Sequence, residues 1–170
     1  MNFFEVLEIQ PVQLALDPKH LETDFYRLSR ASHPDHSGTD PDTLEKSAQL
    51  NGAYRTLRDP WSRARYLLDI LRIPLSSKIP ACLGPIYIEI QESMDQSELE
   101  RLKRQLASLK RQRLQQLEDQ YRKFDQLKIS SLIEGAPKEA ELILNKIQEL
   151  VGENNYANSM ERNVDQRLEK

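Results

Sequence analysis

The sequence predicts an all-α protein, and three observations carry that reading. Only five of 170 residues are glycine while 30% are charged, a composition suited to helices with long solvated faces. Apolar residues recur at three- and four-residue spacing through most of the chain. The pairs Asp17-Pro18, Asp40-Pro41 and Asp59-Pro60 each stand at the head of such a stretch. There an aspartate can cap free amides, and a proline in the first turn loses no hydrogen bond.

Phe3, Phe4, Val6 and Leu7 predict a short apolar helix ending between Glu8 and Pro11, because the residue before a proline is pushed out of helical space. From Pro18 a second helix should bury Leu21, Phe25 and Leu28 on one stripe, leaving Lys19, Tyr26, Arg27 and Arg30 outside. His33 ends it before Pro34, and His36 to Thr39 reads as loop. The helix opened by Asp40-Pro41 carries Leu44, Ala48, Leu50, Ala53, Tyr54 and Leu57 and should pack antiparallel to the second. The helix opened by Asp59-Pro60 carries Trp61, Ala64, Tyr66, Leu67, Leu68 and Leu71, an apolar face broad enough to pack on a second domain.

Prolines, serines and a glycine between Arg72 and Pro85 predict a boundary, dividing the chain into residues 1–72, a linker 73–84 and a helical unit 85–170. Ile86, Tyr87, Ile88 and Ile90 begin a short helix expected to end near Gln96, and Ser97-Glu98-Leu99-Glu100 reads as a capping box for the next. Leu99, Leu102, Leu106, Leu109, Leu114, Leu117, Tyr121 and Phe124 then form a stripe that suggests an antiparallel bundle or a short coiled coil. Gly135-Ala136-Pro137 breaks it. A last helix runs from Ala140 to Leu168, weakened by Gly152 by about 1 kcal/mol.

Composition excludes several functions. The net charge of −3 gives no general attraction to nucleic acid. The basic clusters Arg101-Leu-Lys-Arg and Lys110-Arg-Gln-Arg have acidic helix neighbours and no aromatic platform between them. A single cysteine, Cys82, rules out an internal disulfide or an all-cysteine metal site within one chain. It reads as a free, small apolar residue. His20, His33 and His36 lack the helical spacing of a zinc protease, so no metal site is expected, nor any cofactor. No nucleophile has a base and an orienting group beside it, so the chain reads as a non-enzyme. The N-terminus lacks a signal-peptide pattern and no run reaches the roughly 20 apolar residues of a membrane span, which predicts a cytoplasmic protein. One charge feature stands out: between Lys78 and Arg101 lie Glu89, Glu92, Asp95, Glu98 and Glu100 and no Lys or Arg, a face able to attract a basic partner.

His33-Pro34-Asp35 between two amphipathic helices, with Tyr54, Leu57, Asp59, Arg63 and Tyr66 in register, resembles the J-domain family. The string from Asn51 through Tyr66-Leu67-Leu68, followed by about 85 residues of helix in place of a Gly/Phe-rich linker and zinc cysteines, resembles its HscB-type branch. That resemblance implies a J-domain helical hairpin joined in an L shape to a C-terminal three-helix bundle. It implies contact with a DnaK/HscA-type chaperone ATPase through His33, Pro34, Asp35, Arg27, Arg30, Lys19 and Tyr26, and stimulation of ATP hydrolysis. Proline fixes the backbone and presents the imidazole and carboxylate in a rigid arrangement. The resemblance further implies that Tyr87, Ile88, Gln91, Glu92, Asp95 and Tyr156 hold an IscU-type scaffold protein on which iron–sulfur clusters are built. A generic J-protein whose bundle binds a different client is the alternative.

Overall fold

The computed structural model describes residues 2–31, 41–75, 79–130, 132 and 138–169. Among them the regular structure is helical, without a strand: α1 Phe3–Val6, α2 Pro18–Ala31, α3 Pro41–Arg58, α4 Pro60–Ile70, α5 Gly84–Glu92, α6 Gln96–Asp125 and α7 Glu141–Leu168, with 3-10 turns at Ala81–Leu83 and Lys138–Ala140.

Local chemistry explains most helix starts. Asn2 and Glu5 form a reciprocal capping box on α1. Asp17 Oδ1 accepts the Lys19 amide at 2.7 Å, and Asp59 Oδ1 accepts the Ser62 amide at 2.7 Å, so both Asp-Pro devices work as their sequence predicts. Asp40 lies outside the described residues, as do the Gly135-Ala136-Pro137 breaker and the His33-Pro34-Asp35 loop. The capping box expected at Ser97 is displaced: Asp95 caps α6, accepting the Ser97 amide, and the helix begins one residue before the serine. Helix α5 ends at Glu92, short of the expected Gln96, because Arg167 donates to the carbonyls of Ile90 and Ser93 and the chain then turns into the Asp95 cap.

α1, α2, α3 and α4 pack as predicted, with the start of α2 beside Arg58 at the end of α3. The Phe3 ring stacks on Tyr66 at 4.3 Å, and the Phe3 amide donates to Tyr66 Oη at 2.8 Å. Leu21, Leu50, Ala53 and Leu57 are buried, while Phe25 and Leu28 are half-buried. The α3 stripe is shorter than expected: Leu44 is 68% exposed and Ala48 is exposed, because α1 and α4 cover only the later turns of α3.

α6 and α7 run antiparallel, cross-linked by Lys103–Asp165 at 2.6 Å, Lys110–Glu161 at 2.5 Å and Arg113–Glu153. Gly152 does not interrupt α7, because its neighbours Val151, Glu153 and Asn154 are all buried and hold the helix from both sides. The two long helices serve two cores. Their far halves pack with Leu83, Ile86 and Ile90 of the α5 region around Leu102, Leu106, Met160 and Val164. Their near halves contribute Leu117, Tyr121, Phe124, Ile147 and Leu150 to the same core as Phe4, Leu14, Leu57, Ala64, Leu67 and Leu68. Burying a leucine contributes about 1.5–3 kcal/mol, so this shared core binds the N-terminal helices firmly to the long pair.

Hydrogen bonds reinforce that junction. Asp125 accepts the amides of Leu14 at 2.6 Å and Ala15 at 2.9 Å, and the Val12 amide donates to the Ile129 carbonyl at 2.9 Å. Arg63, only 4% exposed, donates through Nε to the Leu57 carbonyl at 2.7 Å and through a terminal nitrogen to the Leu14 carbonyl. Its guanidinium lies 5.4 Å from the centroid of Tyr121, whose hydroxyl donates to the Pro60 carbonyl at 2.5 Å. Burial lowers the Arg63 guanidinium and pushes the Tyr121 phenol far up, which fits a neutral hydroxyl donor against a cation held by carbonyls.

Candidate functional site

Two surfaces carry the sequence-predicted residues. On α2, Lys19, Tyr26, Arg27 and Arg30 are all exposed, and Tyr26 retains 55% of its surface. Residues 19, 26, 27 and 30 follow helical spacing, so α2 presents them without distortion. Arg27 is not a free charge. It donates to Glu8 at 2.8 Å and reaches Asp24 at 3.4 Å, and the Glu8 hydrogen bond is the main reason its guanidinium is raised above its usual range. Arg30 has no acidic partner among the described residues. His33, Pro34 and Asp35 follow directly on this helix but lie outside the described residues.

The second surface is built on α5. Tyr87 and Gln91 share a groove of about 370 Å3 with Tyr156 and Met160 of α7. Residues 69 positions apart in sequence thus face one another, because α7 returns antiparallel along α6 and carries Tyr156 to α5. Ile88 and Glu92 do not line that groove; Ile88 is 55% exposed, and Ile79 lines the groove beside Tyr87. Arg167, from the last turn of α7, holds the carbonyl end of α5.

The acidic face is largely neutralised. Arg101 pairs with Glu89 at 2.6 Å and Glu98 at 2.5 Å, Glu100 lies 3.7 Å from Arg104, and the Asp95 carboxylate is committed to Ser97. The Ser97 hydroxyl, then its amide, hold Asp95 below the usual carboxylate range, and the Arg101 hydrogen bond does the same for Glu98. Of the five acids, Glu92 is the one with neither ion pair nor cap role among the described residues. Three cations of the two basic clusters are similarly engaged: Lys103, Lys110 and Arg113 bridge to α7.

Sequence reasoning missed the pairing of half-buried Arg113 with buried Glu153. Its signal was an acid on the α7 face between Leu150 and Ala157, at helical spacing from both. Cys82 is exposed rather than packed away, and its thiol donates to Glu153 at 3.3 Å. Partial burial, reinforced by that carboxylate, pushes the thiol up, away from a reactive thiolate. Among the described residues no group of three or more His, Cys, Asp or Glu is placed to hold a metal, and no helix is long and apolar enough to cross a membrane.

Residues 2–66 match the DnaJ domain family. The chain is 34% identical over 104 residues to the HscB co-chaperone homologue of Vibrio cholerae serotype O1, an alignment covering 58% of this chain and 57% of that protein. It is 40% identical over 74 residues to the homologue of Photobacterium profundum, covering 41% and 43%. The chain thus spans about half the length of the curated relatives it matches. Among solved structures, the chaperone HscB from Vibrio cholerae superposes with a TM-score of 0.59 at 26% identity, over 98% of this chain and 99% of that one. The match over residues 2–66 takes in α1 to α3 and the first turns of α4, and makes that part of the chain similar to a DnaJ domain. With the long helical C-terminal half included, the whole fold is similar to that of HscB.

Proposed function

We propose that this chain is a non-enzymatic co-chaperone that docks on a DnaK/HscA-type chaperone ATPase, stimulates its ATP hydrolysis, and delivers an IscU-type scaffold protein to it for iron–sulfur protein maturation in the cytoplasm. Units 1–72 and 85–170 would carry the two tasks, with 73–84 between them. The α2 face with His33, Pro34 and Asp35 would take the chaperone. The α5–α7 surface of Tyr87, Ile88, Gln91, Glu92 and Tyr156 would take the scaffold, with Asp95 contributing through its exposed edge.

The observation that supports this most is the junction itself. Asp125, Arg63 and Tyr121 join the J-domain helices to the long helix pair that carries the Tyr87–Tyr156 groove. A client held on such a body stays at a fixed distance from the chaperone, which raises its effective concentration there without any new contact. The test is steady-state ATP hydrolysis by a DnaK/HscA-type chaperone, with and without the scaffold protein, for wild type and for Tyr87→Ala combined with Glu92→Ala. Synergy present in wild type and lost in the variant is expected. Stimulation indifferent to the scaffold would overturn the client assignment and favour a different client for the bundle.

A further inference from the structure

α2 and α3 leave between them a groove of about 600 Å3 lined by Phe25, Asn51, Tyr54, Arg55 and Arg58. Its aromatic part is a stacked pair, Phe25 and Tyr54, with centroids 4.3 Å apart and planes 19° apart. The Arg58 guanidinium lies 5.9 Å from the Tyr54 centroid. Arg55 and Arg58 are exposed, and neither has a carboxylate partner among the described residues. Asp59, the acid at the groove's edge, is committed to capping α4.

Cations in the last turn of a helix are favoured by the dipole alone, which accounts for the charges of Arg55 and Arg58. It does not account for the aromatic pair beside them, which is only half-buried although it lies between two helices. Exposed guanidinium donors next to aromatic surface suit a ligand with carboxylates and a flat or long apolar group. The groove adjoins the α2 face: the ring of Phe25, which lines it, lies 5.5 Å from that of Tyr26.

We infer that this groove takes an acidic segment of the partner ATPase, whose carboxylates pair with Arg55 and Arg58 while an aromatic or long apolar side chain lies against Phe25 and Tyr54. This extends docking from α2 onto α3, and it rests on the chaperone reading of the α2 face.

The test uses the full chain labelled with 15N and three synthetic hexapeptides: acidic with a central phenylalanine, acidic with alanine in its place, and lysine-based with phenylalanine. The Asn51 side-chain amide and the arginine Nε–H signals are followed. Saturable shifts are expected with the first peptide, weaker ones with the second and none with the third. Arg55→Ala with Arg58→Ala should weaken the first by at least about tenfold. The same double variant should raise the concentration that half-saturates ATPase stimulation by a DnaK/HscA-type chaperone. No saturable shift, or equal shifts with the lysine peptide, would overturn the groove and leave the α2 reading standing. Peptide binding without any ATPase stimulation by wild type would instead remove the chaperone as occupant. Self-association in sedimentation that disappears in the double variant would identify a second copy as the occupant and also overturn the inference.

Discussion

Asp125 accepts the backbone amide of Leu14 at 2.6 Å across 111 positions of sequence, joining the end of α6 to the turn between α1 and α2. The same carboxylate takes the Ala15 amide at 2.9 Å, so one side chain satisfies two adjacent donors. Asp125→Ala should cost about 2 kcal/mol in urea unfolding, the usual penalty for stranding partly buried amides. A loss below about 0.5 kcal/mol would mean that water replaces the carboxylate.

The same residue predicts a pH effect. Burial is the leading cause that raises the Asp125 carboxyl, so the folded state keeps its proton to higher pH than the unfolded chain does. Its contribution to stability therefore falls as pH rises from the unfolded value through the raised one. The stability difference between wild type and Asp125→Asn should shift in favour of wild type as pH falls through that window. Parallel stability curves for the two proteins across it would contradict this.

Arg63 is a buried cation held by two carbonyls and by the Tyr121 ring. Arg63→Ala leaves both carbonyls unmet and a void beside Tyr121, and should destabilise by about 3 kcal/mol. Lysine should recover little, because one ammonium cannot reproduce the guanidinium fork that spans Leu57 and Leu14. Recovery of most of the stability by Arg63→Lys in thermal melts would show that charge alone matters there.

His33→Gln should abolish stimulation of the chaperone ATPase while leaving scaffold binding at the α5–α7 surface unchanged. The residues proposed for the two surfaces do not overlap, so ATPase assays and scaffold pull-down should respond separately. Loss of both together would contradict that separation.

Among the acids near α5, Glu92 should dominate the interaction with a basic partner, because Glu89 and Glu98 already share Arg101. Glu92→Gln should slow scaffold association severalfold at low salt, whereas Glu89→Gln should change it by less than about twofold. Stopped-flow association rates for both variants at two ionic strengths decide the matter, and equal effects would show that the Arg101 pairs open on binding.

The helices were legible in the sequence wherever the signal is local. Asp17 and Asp59 cap as their Asp-Pro context implies, and the spacing of Leu99, Leu102, Leu106, Leu117, Tyr121 and Phe124 marks one buried face. On the candidate surfaces, the exposure of Lys19, Tyr26, Arg27 and Arg30 followed from α2 periodicity alone. What escaped is non-local. Leu44 fits the α3 pattern yet stays exposed because α1 and α4 cover only the later turns of α3, and the acidic run after Lys78 gave no sign that Glu89, twelve positions away, would share Arg101 with Glu98.

Sequence by itself determined the all-α class, most helix starts and the J-domain resemblance, since caps, prolines and apolar periodicity act over one or two turns. Only the tertiary structure decided that Tyr87 and Tyr156 share a groove, that Arg27 is tied to Glu8, and that the long helices divide between two cores. The groove and the two cores depend on how α6 and α7 align and where α4 lands on them, and the Arg27–Glu8 tie on how α2 folds back beside the end of α1. Such alignment is set by packing and buried hydrogen bonds among residues far apart in the chain, to which no local pattern is sensitive.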